Sequence, residues 1–146
     1  MIVSKFGGTS VGSAENMKKV VDIITQNNEP RIVVLSAMSG TTNTLVSIAQ
    51  NLREFHPQEA EFLAQQLYKK YVGVIGDLFH DDDYFEKGKI LIDYFFTHIR
   101  SFFDLPFSQS VEKILLAQGE LISTNLFQLY LEQIGVESKL LPALTF

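Results

Sequence analysis

The spacing of apolar positions changes several times along the chain, and each change predicts a different secondary-structure element. Residues 2–6 (IVSKF) and 31–35 (RIVVL) are short β-rich runs, each followed by small residues and then by apolar positions at helical spacing. A strand–loop–helix unit that occurs twice predicts a parallel sheet with right-handed crossover connections. The second run is almost wholly apolar, and we therefore expect a central strand that is covered on both faces.

Helix-start and helix-stop signals divide the two units. Ser13 suits the N-cap of a helix with apolar positions at residues 17, 20, 21 and 24, and the turn at residues 27–30 (NNEP) ends it. The second helix is predicted over residues 44–52, after a loop of small and hydroxyl residues at 36–43.

A helical block follows the second unit. Apolar residues spaced by three and four predict three amphipathic helices, around residues 60–78, 91–102 and 115–129. Gly135 is predicted to end the last helix as its C′ residue, and residues 137–141 (ESKLL) are predicted to form a third strand. Three parallel strands are few for so much helix, so we expect residues 1–146 to be the first part of a longer domain.

Composition and charge narrow the function classes. The net charge of −5 and the pI of about 5.1 argue against nucleic acid as the main partner, because no basic patch neutralises phosphates. The chain has no cysteine, which excludes disulfides and thiolate metal sites. No apolar run of membrane-spanning length and no secretory leader are recognisable. We therefore expect a cytoplasmic protein that contacts neither nucleic acid nor membrane.

Residues whose side chains could bind a metal are interpreted as surface, core-edge or capping residues. His56, His80 and His98 lie on different predicted elements without ligand spacing. The acidic run at residues 81–83 (DDD) lies between two helices, where it suits a solvated N-cap cluster. No metal site is predicted within the chain, and the phenylalanines at 95, 96, 102, 103 and 107 are assigned to the helical core.

The loop after the first strand carries the strongest candidate chemistry. Gly7 and Gly8 let the backbone approach a ligand closely, and Thr9 and Ser10 add hydroxyl groups. The helix N-terminus that follows adds N–H donors and Lys5 adds a full positive charge, a combination that suits a phosphate or a carboxylate. The loop matches neither G-x-x-x-x-G-K-[ST] nor G-x-G-x-x-G. The alternative is a tight turn beside a solvated lysine.

The loop at residues 36–43 has a similar character, with small hydroxyl residues before a helix. Such residues are also common as helix caps. Because both loops follow parallel strands, at the carboxyl ends where open α/β sheets bind ligands, we expect them to border one crevice.

Three segments resemble aspartate kinases, within the amino acid kinase family. They are SKFGGTSVG at residues 4–12, VVLSAMSGTTN at 33–43 and QGELIST at 118–124, in the order and at about the spacing of that family. The resemblance implies a three-layer α/β/α sandwich of the amino acid kinase type with a mainly parallel sheet. It also implies that residues 1–146 form its N-terminal, amino-acid-substrate part. The nucleotide-binding half and the regulatory ACT domains would then lie C-terminal to this chain.

The resemblance further implies an activity and a set of site residues. The reaction is transfer of a phosphoryl group from MgATP to the β-carboxylate of L-aspartate, giving 4-phospho-L-aspartate on the route to lysine, methionine and threonine. Lys5 would contact the phosphates and stabilise charge on the transferred group. Glu120 would accept from the aspartate ammonium. The remaining matched positions line the phosphate loop (Gly7, Gly8, Thr9 and Ser10) and the amino acid region (Ser36 and Thr42).

Alternatives stay open beside this interpretation. The chain could belong to a bifunctional aspartate kinase–homoserine dehydrogenase, to a kinase of glutamate or N-acetylglutamate, or to a non-catalytic fragment that keeps the substrate loops. The longer enzyme is expected to be a homo-oligomer. The chain alone is expected to turn over no substrate, because half of the implied site is missing. For Glu120 the alternative is a solvated helix residue.

Overall fold

Two short strands and five helices follow one another along residues 1–142, the part of the chain that the computed structural model describes. The strands are β1 (Ile2–Phe6) and β2 (Arg31–Leu35). The helices are α1 (Ala14–Ile24), α2 (Thr41–Arg53), α3 (Pro57–Leu78), α4 (Asp82–Arg100) and α5 (Gln109–Gln133). None of these helices is both long enough and apolar enough to cross a membrane.

The two strands pair in parallel, as the repeated strand–loop–helix pattern predicts. Their register runs from Ile2 opposite Arg31 to Phe6 opposite Leu35. Both strands have the predicted bounds because the β-branched runs end at small residues that leave the extended conformation. The carboxyl ends of β1 and β2 therefore lie side by side, and the two loops that follow start from neighbouring points.

Only one face of this sheet packs against the core, so the expectation that β2 is covered on both faces is wrong within residues 1–142. Leu35 is buried, and Phe6 and Val33 pack against the core from the same face. The opposite face is open: Val3 is 65% exposed, and Ile32 and Val34 are 38% and 44% exposed. The apolar residues on both faces of β2 would allow burial on either side, but within residues 1–142 the helices cover only one face.

The first two helices start at different kinds of cap. Ser13 caps α1 as predicted, its Oγ accepting from the Asn16 N–H at 3.1 Å. Helix α2 begins at Thr41, three residues before the predicted start at residue 44. Gly40 takes φ +85°, a conformation that glycine adopts without strain, and this sharp turn lets the helix begin among threonines of low helix propensity.

The three predicted helices of the block are present as α3, α4 and α5, and they bury a shared core around Tyr71, Phe96 and Ile122. Asp81 caps α4 by accepting from the N–H groups of Asp83 and Tyr84, which confirms the cap interpretation of the acidic run. The five phenylalanines assigned to the core are buried or pack partly buried against it (Phe95, Phe96, Phe102, Phe103 and Phe107).

The predicted third strand is absent: residues 137–141 pair with no strand of the described chain. Gly135 ends α5 with φ +76°, as predicted, and the Val136 N–H returns to the Leu131 carbonyl at 2.9 Å. Gln128 of α5 then donates to Ser138, both to its hydroxyl at 3.0 Å and to its carbonyl at 3.3 Å. These contacts connect the segment to α5.

Candidate functional site

The loop after β1 is built around two glycines with different surroundings. A Cβ added at Gly7 would meet nothing within 4 Å, so the backbone there is open to a ligand. A Cβ at Gly8 would lie 2.9 Å from the Ala37 carbonyl oxygen, a separation that real side chains do not tolerate. Gly8 is therefore needed for the close approach of the two loops, whereas no described contact of the chain requires glycine at residue 7.

The backbone donors of this first loop are free. Within residues 1–142, the N–H groups of residues 7–10 donate to no protein acceptor. The loop is held through its carbonyls instead: Gly7 accepts from the Val11 N–H at 3.3 Å, and Thr9 accepts from the Asn16 side-chain amide at 2.9 Å. Successive unsatisfied N–H groups in a turn that follows a strand suit an anion such as phosphate.

The second loop lies directly against the first. The Ser39 N–H donates to the Gly8 carbonyl at 3.1 Å, and the Ser36 N–H donates to the Phe6 carbonyl at 3.1 Å. The two loops therefore lie side by side, and a crevice bordered by both of them stays a prediction. Ser36 is half-buried at the end of β2, close to the base of the first loop.

Helix α5 brings the third segment to the same place. A Cβ at Gly119 would lie 2.9 Å from Ala37 Cβ and 3.1 Å from Thr41 Cγ2. The absence of a side chain at Gly119 thus allows α5 to approach the second loop closely. Glu120, the next residue, is exposed beside this contact.

The structure does not bring every predicted residue into contact. Lys5 is exposed on the open face of the sheet, opposite Val34 in the register, and forms no ion pair within residues 1–142. Glu120 also has no ion-pair partner there. Thr42 is exposed in the first turn of α2, so it is a helix residue and not a loop residue. Two charges of opposite sign therefore flank the loops without neutralising each other.

Three residues that the sequence did not single out hold these loops. Lys70 Nζ donates to the Ser39 carbonyl at 2.6 Å, and the buried hydroxyls of Tyr71 and Thr41 lie 2.8 Å apart. Asn16 holds the first loop. Tyr71 lies within the helix predicted around residues 60–78, and nothing in the sequence around Lys70 distinguishes it from a solvated lysine. Burial raises the pKa of Tyr71 to about 12, so its hydroxyl stays protonated at neutral pH.

The donor set suits phosphate better than it suits a metal ion. The N–H groups of residues 7–10 have no protein acceptor in the described chain and are available to donate to a phosphate, and Lys5 adds a positive charge nearby. No group of three or more His, Cys, Asp or Glu side chains in the described residues could hold a metal. An ion that accompanies a nucleotide usually takes its ligands from phosphates, waters and one or two carboxylates.

Comparison with known proteins identifies the family. The model of the amino acid kinase family matches residues 1–146, and the chain belongs to that family. Lysine-sensitive aspartokinase 3 of Escherichia coli K12 is 31% identical over 139 residues, which are 95% of this chain and 30% of that protein. Aspartokinase 1, chloroplastic, of Arabidopsis thaliana is 31% identical over 150 residues, covering 94% of this chain and 24% of the relative.

Solved structures support the same fold. The crystal structure of E. coli aspartokinase III in complex with aspartate and ADP matches with a TM-score of 0.77 at 31% identity. The match covers 95% of this chain and 30% of that one. The fold is thus the α/β sandwich of the amino acid kinases, and this chain spans about a quarter to a third of the length of these relatives.

Proposed function

We propose that residues 1–146 form the N-terminal, amino-acid-substrate part of an aspartate kinase, which transfers a phosphoryl group from MgATP to the β-carboxylate of L-aspartate. The observation that carries this proposal is the meeting of three segments: the open first loop, the second loop bonded to it, and Gly119 of α5 packed on the second loop. The relatives named above support it, since both are aspartokinases.

The chemistry asks for donors and cations more than for a protein nucleophile, because the substrate carboxylate itself attacks the phosphorus. The free N–H groups of residues 7–10 and the Lys5 ammonium would stabilise negative charge on the transferred group. Thr9 and Ser10 add exposed hydroxyls to this loop. Ser36 and Thr42 would line the amino acid region, and the exposed carboxylate of Glu120 would accept from the substrate ammonium.

Several properties of the longer enzyme belong to the proposal. It would use Mg²⁺ with ATP, work in the cytoplasm, act on the route to lysine and threonine, and assemble as a homo-oligomer. The 146 residues alone would bind L-aspartate weakly and release no ADP, because the relatives are three to four times longer and the proposed nucleotide-binding half would lie outside this chain. An aspartate-dependent release of ADP by this chain alone would contradict that expectation.

A chimera tests the assignment. Residues 1–146 replace the corresponding segment of E. coli lysine-sensitive aspartokinase 3, and aspartate-dependent ADP release is measured. We expect an active chimera, in which Lys5→Ala lowers kcat by a factor of about 100 or more, since it removes transition-state stabilisation. Glu120→Ala should mainly raise the KM for L-aspartate, because the substrate ammonium loses its acceptor.

Lys69→Ala is the matched control for the lysine change, since Lys69 is an exposed lysine of α3. It should leave kcat and KM as they are. A Lys5→Ala chimera with the kcat of the parent would remove Lys5 from the mechanism. Unchanged aspartate kinetics in Glu120→Ala would make Glu120 a solvated helix residue. A chimera that phosphorylates glutamate or N-acetylglutamate, and not aspartate, would replace the proposed substrate.

A further inference from the structure

We infer that Lys70 and Tyr71 of α3 are positioning residues, which fix the second loop against the first and thereby set the geometry of the site. Lys70 Nζ donates to the Ser39 carbonyl at 2.6 Å, and the Tyr71 hydroxyl pairs with the Thr41 hydroxyl at 2.8 Å. The consequence for ligand affinity rests on the proposed function; the consequence for loop geometry does not.

The two contacts lie on either side of the turn at Gly40, which glycine leaves conformationally free. Gly40 takes φ +85° between Ser39 and Thr41, and glycine alone does not hold a single backbone conformation. Consecutive residues of a helix point about 100° apart, so Lys70 and Tyr71 can reach the two sides of this turn from one point on α3. The turn is thus held on both sides by a helix of 22 residues.

Ser39 links these contacts to the first loop, because the peptide units on its two sides each form a hydrogen bond. Its carbonyl accepts from Lys70, and its N–H donates to the Gly8 carbonyl at 3.1 Å. A continuous path of hydrogen bonds therefore runs from α3 through Ser39 to Gly8.

Replacing Lys70 and replacing Tyr71 should affect global stability to different extents. Lys70 is exposed, so its bond adds little to global stability, whereas Tyr71 is fully buried and also packs in the core. Lys70 is therefore the cleaner test, because its loss should change the loop and leave the fold. Lys18 offers a matched control: its Nζ donates to the Asp77 carbonyl at 2.9 Å, a long-range bond of the same kind on another surface.

The experiment compares the wild-type chain with Lys70→Met, Lys70→Arg and Lys18→Met. The first measurement is amide hydrogen exchange at Ser39, since that N–H forms the bond between the loops. We expect exchange about tenfold faster in Lys70→Met, the effect of one charge-assisted hydrogen bond, partial recovery in Lys70→Arg and no change in Lys18→Met. Urea unfolding should be nearly the same in all four. Tyr71→Phe should also speed exchange at Ser39, with a loss of stability.

The second measurement is titration with L-aspartate, with an expected rise in Kd of about tenfold in Lys70→Met alone. Unchanged Ser39 exchange in both Lys70→Met and Tyr71→Phe would overturn the inference, whatever aspartate does. Faster exchange in a chain whose wild-type form binds no aspartate would support it and would count against the proposed function instead. Faster Ser39 exchange in Lys18→Met, equal to that in Lys70→Met, would also overturn it, since the effect would then be general.

Discussion

Replacing Gly119 by alanine tests whether α5 must approach the second loop as closely as the structure shows. The new Cβ would lie 2.9 Å from Ala37 Cβ and 3.1 Å from Thr41 Cγ2. Carbon atoms prefer about 3.5–4.0 Å, so the contact is short by roughly 0.5–1 Å. Ala37 has no rotamer that could move aside, and the Thr41 hydroxyl is held by Tyr71. Either the loop or the helix must shift.

Two terms of opposite sign set the size of the effect. Alanine favours the helix over glycine by about 1 kcal/mol, and overpacking in a dense core costs about 1–3 kcal/mol. Gly119→Ala should therefore destabilise the chain by about 0–2 kcal/mol. Gly73→Ala in α3 is the matched control, because Gly73 is exposed and its added Cβ meets nothing within 4 Å. It should stabilise the chain by about 1 kcal/mol.

The difference between the two variants is the quantity to measure. Urea unfolding followed by far-UV circular dichroism gives both free energies of unfolding, and we expect Gly73→Ala to exceed Gly119→Ala by about 1–3 kcal/mol. This comparison cancels the helix-propensity term, which is common to both changes. If Gly119→Ala stabilises the chain as much as Gly73→Ala does, the close approach of α5 to the second loop is refuted, and with it the geometry that brings Glu120 to the site.

Three other positions give predictions of defined sign. Helix α2 ends with Phe55 at φ +60° and 88% exposed, so Phe55→Gly should raise the free energy of unfolding by about 1 kcal/mol. Gly135→Ala at the matching end of α5 should lower the free energy of unfolding by a similar amount. Urea unfolding that shows a loss for Phe55→Gly or a gain for Gly135→Ala would contradict the corresponding prediction. Tyr71→Phe should cost about 1–3 kcal/mol at pH 7, because the buried Thr41 hydroxyl loses its partner. The wild type should lose this advantage between pH 10 and 12, where unfolded tyrosine ionises and Tyr71, with a pKa of about 12, does not. A gap that stays constant from pH 9 to 12 would contradict the buried environment of Tyr71.

Local sequence signals were sufficient where a single residue decides the backbone. Ser13 starts α1, Gly135 ends α5 and Asp81 caps α4, each through a hydrogen bond or a φ value that its own chemistry dictates. The parallel pairing of β1 and β2 follows equally well, because a crossover helix between two β-rich runs leaves few topologies. These features depend on contacts within a few residues, or on the chirality of one connection.

Features that depend on distant contacts were not predictable in the same way. The start of α2 moved to Thr41 because this threonine is buried and pairs with Tyr71, thirty residues away. The predicted third strand forms no pairing within residues 1–142, and Gln128 instead donates to Ser138, a contact that no spacing rule encodes. In the sequence Lys70 is indistinguishable from any other surface lysine. Its role in holding the second loop depends on the position of the Ser39 carbonyl, which the sequence does not reveal.

The open face of the sheet gives a physical reason to expect that this chain alone is inactive. Lys5 lies on that face among Val3, Ile32 and Val34, which are exposed by between 38% and 65%. In water an ammonium at 4 Å from a phosphate gains only about 1 kcal/mol, and at an effective dielectric constant of 20 it gains about 4 kcal/mol. Stabilisation of a transition state by Lys5 therefore requires that something apolar cover its neighbours and exclude water. The three side chains around Lys5 are apolar, as expected of a surface that a complete sandwich would bury. We therefore expect Lys5→Ala to lower kcat in a full-length chimera and to have no effect in the isolated chain.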